Sequence, residues 1–378
     1  MTAERDIAGF ALPFAAAVTA AVCIGSSAWN STGASHTAIA AVIPMGAILV
    51  LCALMHPRHM SLSDSHIRIL IALLGIFTGL FCAHTASLCA VSSTGGHGLL
   101  TGFAIGFGER MQAAIDAIPF KDAGTAGLVK ALITGERADI PREVTEAFRD
   151  SGASHILSLS GMHLGIIYGI LAKLLGGFGN SPAATRLRSV AIITFCGFYT
   201  LATGAGPSIV RAFIFILLGE CARLAGRYRS TGSILFAALL IQLTANPLSA
   251  SSVGFQLSYA AMAGIAFIYP YLKGLWPESD DGSYRFPAMR WVWNSAAMSI
   301  SCQLTTGPIA YAYFGTFPQY FLLTNLIAVP LTGIIIPAAL LTLVLSVCGI
   351  CPAFLVQSTE WLATLLTESL GIIAVMQG

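Results

Sequence analysis

Arg149-Asp-Ser-Gly-Ala-Ser-His-Ile-Leu-Ser-Leu-Ser-Gly-Met-His163 joins the one long, densely charged segment of the chain to an apolar run with no charge over residues 164–172. Two histidines, His155 and His163, bracket Ser158, Ser160 and Gly161. On one continuous helix a separation of eight residues, at ~100° each, brings the histidines within about 80° of one another, on one broad face. Ser160-Gly161 is a weak point at which such a helix opens and presents backbone groups. Polar residues and irregular backbone at membrane depth are costly unless they line a cavity or a water path. Two readings stay open: a polar lining, or histidines at the water–lipid interface with Ser160-Gly161 as a packing notch.

The composition around this stretch decides the class. Hydrophobic residues make up 56% of the chain and charged residues 10%, far from the ~25% charged average of soluble domains. Residues 7–24 and 292–313 are uncharged apolar runs, long enough as helices to cross ~30 Å of hydrocarbon. The fold class is therefore all-α, a polytopic integral membrane protein. The formal charge of +2 says little in total; its distribution says more. Nine cysteines lie in or beside apolar runs, without the spacing of a disulfide framework. Cys348-Gly-Ile-Cys351 is a lone CxxC of small packing residues.

Along the chain, residues 1–91 hold the first transmembrane helices, over 7–24, 37–55 and 67–91. The first run exceeds a signal-peptide core and is expected to be a retained span. Residues 92–108, rich in Gly, Ser and Thr, read as a flexible connector. Met111, Ala114, Ile115 and Ile118 follow helical spacing, and Leu128, Ala131 and Leu132 repeat it. Asp139 before Pro141 reads as a helix start, with Gly152 as the stop. Three short amphipathic helices suited to lying along the interface are the expectation for this segment. Spans are expected over 154–175, 190–204, Pro207–Leu224, 234–246, 254–272 and 289–313. Residues 317–347 contain Pro330 and Pro337 and predict a kinked or broken helix, and 354–376 closes the chain. The total is about 10 or 11 transmembrane helices.

Lysine and arginine orient them. With a cytoplasmic N-terminus, twelve of the nineteen basic residues fall on cytoplasmic loops and span ends. Six more sit among eight acids in residues 92–153, and Arg211 is left over. The alternation obeys the positive-inside rule and places 92–153, the extracytoplasmic linker and its helices, outside.

At this point a resemblance becomes specific. Leu132-Ile-Thr-Gly-Glu-Arg137 and His155-Ile-Leu-Ser-Leu-Ser-Gly-Met-His163 resemble the paired signature of the ComEC competence-protein family, the inner-membrane channel for DNA uptake. Gly204-Ala-Gly-Pro-Ser-Ile-Val-Arg-Ala212, Asn246-Pro247, Val253-Gly-Phe-Gln-Leu-Ser258 and Asn325-Leu-Ile-Ala-Val-Pro330 follow in the family's order. The resemblance implies that residues 154–378 form a competence-type channel passing one DNA strand into the cytoplasm of a bacterium. It implies as partners single-stranded DNA, membrane lipids and a cytoplasmic helicase or ATPase. The oligonucleotide-binding and metallo-β-lactamase-like domains of full-length relatives find no counterpart here, so separate DNA-binding and nuclease proteins are expected beside a short form of the family.

The pore candidates are His155, Ser158, Ser160, Gly161, His163, Arg211, Gln256 and Asn325. Arg211, one turn into a helix that begins at Pro207, can meet phosphates entering from outside or snorkel to the surface. Gln256 and Asn325 can line a pore or bond a neighbouring helix. Glu220 and Arg223 form a local ion pair, and His84, Asn294, Gln303, Glu360 and Glu368 read as structural. No enzyme is expected. Ser160 with a histidine only loosely resembles an intramembrane serine protease, which needs Gly-x-Ser-Gly and a histidine on a later helix. No histidine follows His163, so neither that serine–histidine pair nor a His-x-His-x-Asp-His zinc site can form. No GxxxxGK[ST] phosphate loop occurs, and no cofactor is implied. The alternative from another class is a small-solute or lipid transporter on the same fold.

Overall fold

The computed structural model of the chain describes residues 9–19, 69, 71–76, 79, 99–177, 179, 181–226, 230–276, 287–315 and 317–377. Among them every regular element is a helix and none is a strand. An apolar chain in lipid has no water to bond its backbone, and a helix satisfies each N–H and C=O within the segment. The result is an all-α membrane protein. Three described helices are long and apolar enough to cross a membrane: Val253–Gly274, Phe321–Val347 and Ala353–Met376. Gly9–Thr19, Gly161–Gly176 and Thr231–Ala245 are shorter apolar helices. The expected span at 37–55, most of that at 67–91 and the loop after Trp276 lie outside the described residues.

The chain divides into two compact units, Met1–Gly96 with Arg227–Ala263, and His97–Gly226 with Gly264–Gly378. In the first, Phe14, Val18, Leu243, Ala250 and Phe255 form the buried core. Asn246-Pro247 ends the Thr231–Ala245 helix there and opens a single 3₁₀ turn, Pro247–Ser251.

The second unit carries the signature. Its largest core joins Leu128, Leu132, Phe148, Ile156 and Leu157 to Ala328, Ile335, Ile336, Leu366 and Leu370. Phe321–Val347 supplies Thr324, Ala328, Thr332, Ile335, Ile336 and Ala339 to its buried face, a stripe repeating every three or four residues. Of the kink or break expected in this helix, the break does not occur: it runs on through Pro330 and Pro337. Each proline removes one donor, a loss that packed neighbouring helices tolerate.

The outer segment also departs from expectation. From Leu99 the proposed connector is helix, Leu99–Asp116. A methyl on Gly108 would lie 2.3 Å from the Ala202 carbonyl oxygen, so glycine here serves close packing rather than flexibility. Ala123–Thr134 is covered more fully than an amphipathic surface helix would be, since Thr125 and every residue from Gly127 to Thr134 are buried. Short length and a mixed pattern suggested a half-wetted helix, but helices pack over both of its sides. Asp139 does not cap the Arg142–Asp150 helix, whose cap residue Pro141 has no side-chain bond. It turns instead to Lys130, whose Nζ lies 2.5 Å from Asp139 and 2.6 Å from Asp116. Lys130 is itself buried. Burial pushes its ammonium down, and the bonds and charges of Asp116 and Asp139 outweigh that and hold it above lysine's usual range.

Candidate functional site

The signature does not form one helix. Ser154–Leu157 makes a single turn, Ser158 and Ser160 are extended, and a new helix begins at Gly161 and runs to Gly176. The weak point foreseen at Ser160-Gly161 is therefore a real break, and the two histidines do not share a helical face. His155 is exposed, whereas His163 is wholly buried. The break is held by local bonds. Ser160 is the N-cap, and its Oγ accepts the Met162 N–H at 3.3 Å. In return the His163 ring accepts the Ser160 N–H at Nδ1, 3.2 Å away, with Ser160 Oγ at 2.9 Å from the same nitrogen. Histidine here fills the role that Glu or Gln plays in a capping box. Because Nδ1 accepts, the neutral ring carries its proton on Nε2. That Nε2 is buried and has no hydrogen-bond partner among the described residues. Ser158 donates its hydroxyl to the His155 carbonyl at 2.8 Å, which closes the preceding turn.

Three further motif segments meet the signature. Gly135 of the lead-in caps the Ala123–Thr134 helix at φ +84°, a left-handed conformation that favours glycine. A methyl there would touch Leu159 at 3.4 Å, so the lead-in packs directly on the extended segment. Gly152 packs more closely still on Pro318, where a methyl would lie 2.5 Å from Cβ, and the Ser151 carbonyl accepts the Thr324 hydroxyl at 2.8 Å. Asn325, half-buried, follows immediately. Thr324 went unnoticed in sequence, since a lone threonine beside an asparagine carries no pattern.

Arg211 is the third. It does not snorkel: only 6% of it is exposed. Its helix starts after Gly204 (φ +82°) and Ala205 (φ +49°), a left-handed pair that costs on the order of 1 kcal/mol at the alanine. The guanidinium lies against the first turn of the signature helix, where a methyl built on Gly161 would sit 3.2 Å from Nη2. The Gly161 N–H makes no hydrogen bond among the described residues.

At the other end of Pro207–Leu224, Glu220 is buried and fully bonded. Its Oε1 accepts the Tyr168 hydroxyl at 2.9 Å and pairs with Arg223 Nη1 at 3.2 Å, while Oε2 accepts Ser189 at 2.7 Å. The expected ion pair with Arg223 is present, and Tyr168 and Ser189 extend it across three helices. Gln256 belongs to the other unit, where its Nε2 donates to the Ala250 carbonyl at 2.9 Å. That bond ties its helix to the turn that begins at Pro247. Glu360, read as structural, accepts the Lys121 and Asp122 N–H groups at 3.0 Å each.

Residues 132–378 match the model of a family described as "Competence protein". The chain is 26% identical over 241 residues to the Escherichia coli (strain K12) protein named Uncharacterized protein YcaI, covering 62% of this chain and 31% of that one. It is 32% identical over 139 residues to ComE operon protein 3 of Bacillus subtilis (strain 168), covering 36% of this chain and 17% of that one. With Competence protein ComA of Neisseria gonorrhoeae it shares 28% identity over 224 residues, 57% of this chain and 30% of that one. The matches thus span a third or less of these relatives' own length. No solved structure matches the chain.

Proposed function

The chain belongs to the competence-protein family, and from that premise we propose that it forms a path through the bacterial inner membrane for one strand of DNA entering the cytoplasm. The observation that carries this reading is the break at Ser158–Ser160. An open backbone with a buried histidine and a buried arginine beside it is costly in an apolar helix assembly. Its retention is accounted for if the break borders a route for a polar, anionic cargo.

On this reading the protein is a conduit and not an enzyme. A cytoplasmic helicase or ATPase supplies the drive, and separate proteins bind incoming DNA and degrade the second strand. The N-terminus is cytoplasmic and residues 92–153 face outward, so reporter tags at residues 100 and 280 are expected on opposite sides. The decisive experiment is uptake of labelled DNA into the cytoplasm of a strain lacking this chain. Uptake is expected to be lost and to return with the wild-type gene. Undiminished uptake in the deletion strain would sink the reading and favour a small-solute or lipid transporter.

A further inference from the structure

We propose that the outer face of the Ala353–Gln377 helix is the contact surface for a second copy of this chain, the two helices lying side by side and parallel across a two-fold axis. The contact is independent of the proposed DNA path.

The helix carries two seams. Val356, Thr359, Ala363, Leu366 and Leu370 recur every three or four residues and are buried, and all but Thr359 belong to the cores that Phe321–Val347 also enters. On the opposite side Gln357, Trp361, Thr364, Glu368, Gly371 and Val375 recur at steps of four and three residues. All of these are exposed except Gly371, which is half-buried. Such a repeat is the spacing at which two parallel helices interlock. What marks the outer seam is its polarity. Elsewhere on this helix Glu360 accepts two backbone N–H groups, and Ser358, Thr359, Thr367 and Ser369 close their hydroxyls on carbonyls of their own helix. The side chains of Gln357, Thr364 and Glu368 bond to nothing among the described residues.

Ala353–Met376 is long and apolar enough to cross a membrane, and at 1.5 Å per residue Glu368 lies about 5 Å from its midpoint. A carboxyl group facing hydrocarbon at that depth is costly, and such a face is turned to protein or to water. An acid suits an anionic strand poorly, which sets this face apart from a DNA route. A second copy satisfies it. Hydroxyl, amide and protonated carboxyl groups each donate and accept, so the stripe complements its own image, with Gln357 meeting Gln357 and Glu368 meeting Thr364 and Glu368. Two carboxyl groups facing across an axis repel as anions and bond when one proton lies between them. A different membrane protein would have to bring a matching set of donors, whereas a second copy needs nothing that is not on this helix. At Gly371 a methyl would meet nothing of its own chain within 4 Å, and glycine there lets two backbones approach. Trp361 and Val375, 64% and 82% exposed, supply apolar contact on either side of Glu368.

The test is single-molecule photobleaching of the full-length labelled protein in liposomes over a range of protein-to-lipid ratios, with disulfide crosslinking of Thr364→Cys in the same membranes. Two-step bleaching that gives way to one step on dilution in lipid is expected for the wild type. Glu368→Leu, which suits lipid better, should weaken the dimer about tenfold at undiminished abundance. Glu368→Gln keeps the hydrogen bonding and should weaken it by no more than about threefold. Thr364→Cys should give a covalent dimer that the wild type with its native cysteines does not, and Ser358→Cys, about 100° off the seam, much less. If Glu368→Leu does not accumulate, the Thr364→Cys crosslink decides alone. One-step bleaching at every ratio overturns the proposal. So does a dimer that Glu368→Leu does not weaken and Thr364→Cys does not trap, which would put the interface elsewhere. A Thr364→Cys disulfide formed within one chain also overturns it, since the chain would then cover this face itself. Loss of DNA uptake in the deletion strain beside a monomeric protein refutes this contact and leaves the proposed function standing.

Discussion

The surroundings of the two ends of the Pro207–Leu224 helix differ in how fully their buried polar groups are bonded. At one end Glu220 is 1% exposed and both carboxylate oxygens are bonded, by Tyr168, Arg223 and Ser189. At the other, Arg211 packs on a turn whose Gly161 N–H and His163 Nε2 are open donors. A closed network of acceptor and donors fastens three helices together and has nothing left to offer a cargo. A buried donor that the described residues do not engage, His163 Nε2, is costly to keep. On the proposed DNA path, that cost falls at the end that borders the route.

The contrast can be broken most decisively at His163. His163→Ala removes the orphan donor and the acceptor for the Ser160 N–H, and DNA uptake is expected to be abolished while the protein still inserts at normal abundance. The measurement is labelled-DNA uptake beside a quantitative membrane immunoblot. A stable and fully active variant would reduce the junction to packing.

Glu220→Ala should do the reverse. Removing a buried acceptor from three donors costs about 3 kcal/mol of stability, read as a lower thermal midpoint in detergent and a lower abundance. Uptake per folded molecule should be unchanged, and a specific loss of uptake at normal stability would erase the distinction between the ends. Glu220→Gln, which keeps one acceptor oxygen, should fall between alanine and wild type.

A second closed network sharpens the comparison by pH. Lys130, buried between Asp116 and Asp139, has its folded-state pKa raised above the ordinary 10.5. A raised pKa contributes stability that is fully present below the unfolded value and lost as pH rises through the folded one. The thermal midpoint should therefore show no Lys130-dependent change up to about pH 10 and fall above 10.5. The Lys130→Met variant should lack that alkaline loss, and an identical pH profile in the two proteins would show that the pairing is idle.

The smallest expected effect is at Ser160. Ser160→Ala loses the cap to Met162 and should cost about 1 kcal/mol, with uptake reduced much less than in His163→Ala because the ring and its Nε2 remain. Equal losses in the two variants would mean that the cap, and not the histidine, is what matters.

Much of this was legible in the residue order. Uncharged runs of spanning length settle an all-α membrane fold, because in hydrocarbon a helix is the only local way to bond a backbone. Helix ends at Pro207, Gly152 and Ser160-Gly161 were readable too, since proline, glycine and serine act on the backbone within one turn. The family motifs marked out the lead-in, the signature, Arg211, Gln256 and Asn325 together, although Gln256 falls in the other compact unit. What lies between partners distant in sequence could be decided only by tertiary structure. Asp139 looks like a helix cap until Lys130 and Asp116 are beside it. Arg211 is equally plausible as a snorkelling residue until helices cover it, and Ala123–Thr134 as a half-wetted helix until its neighbours bury it. Thr324 and Ser151, 173 residues apart, are joined by a bond that neither neighbourhood announces. Periodicity and turn chemistry act over a few residues, whereas burial and the pairing of a charge depend on which helices the whole chain brings alongside.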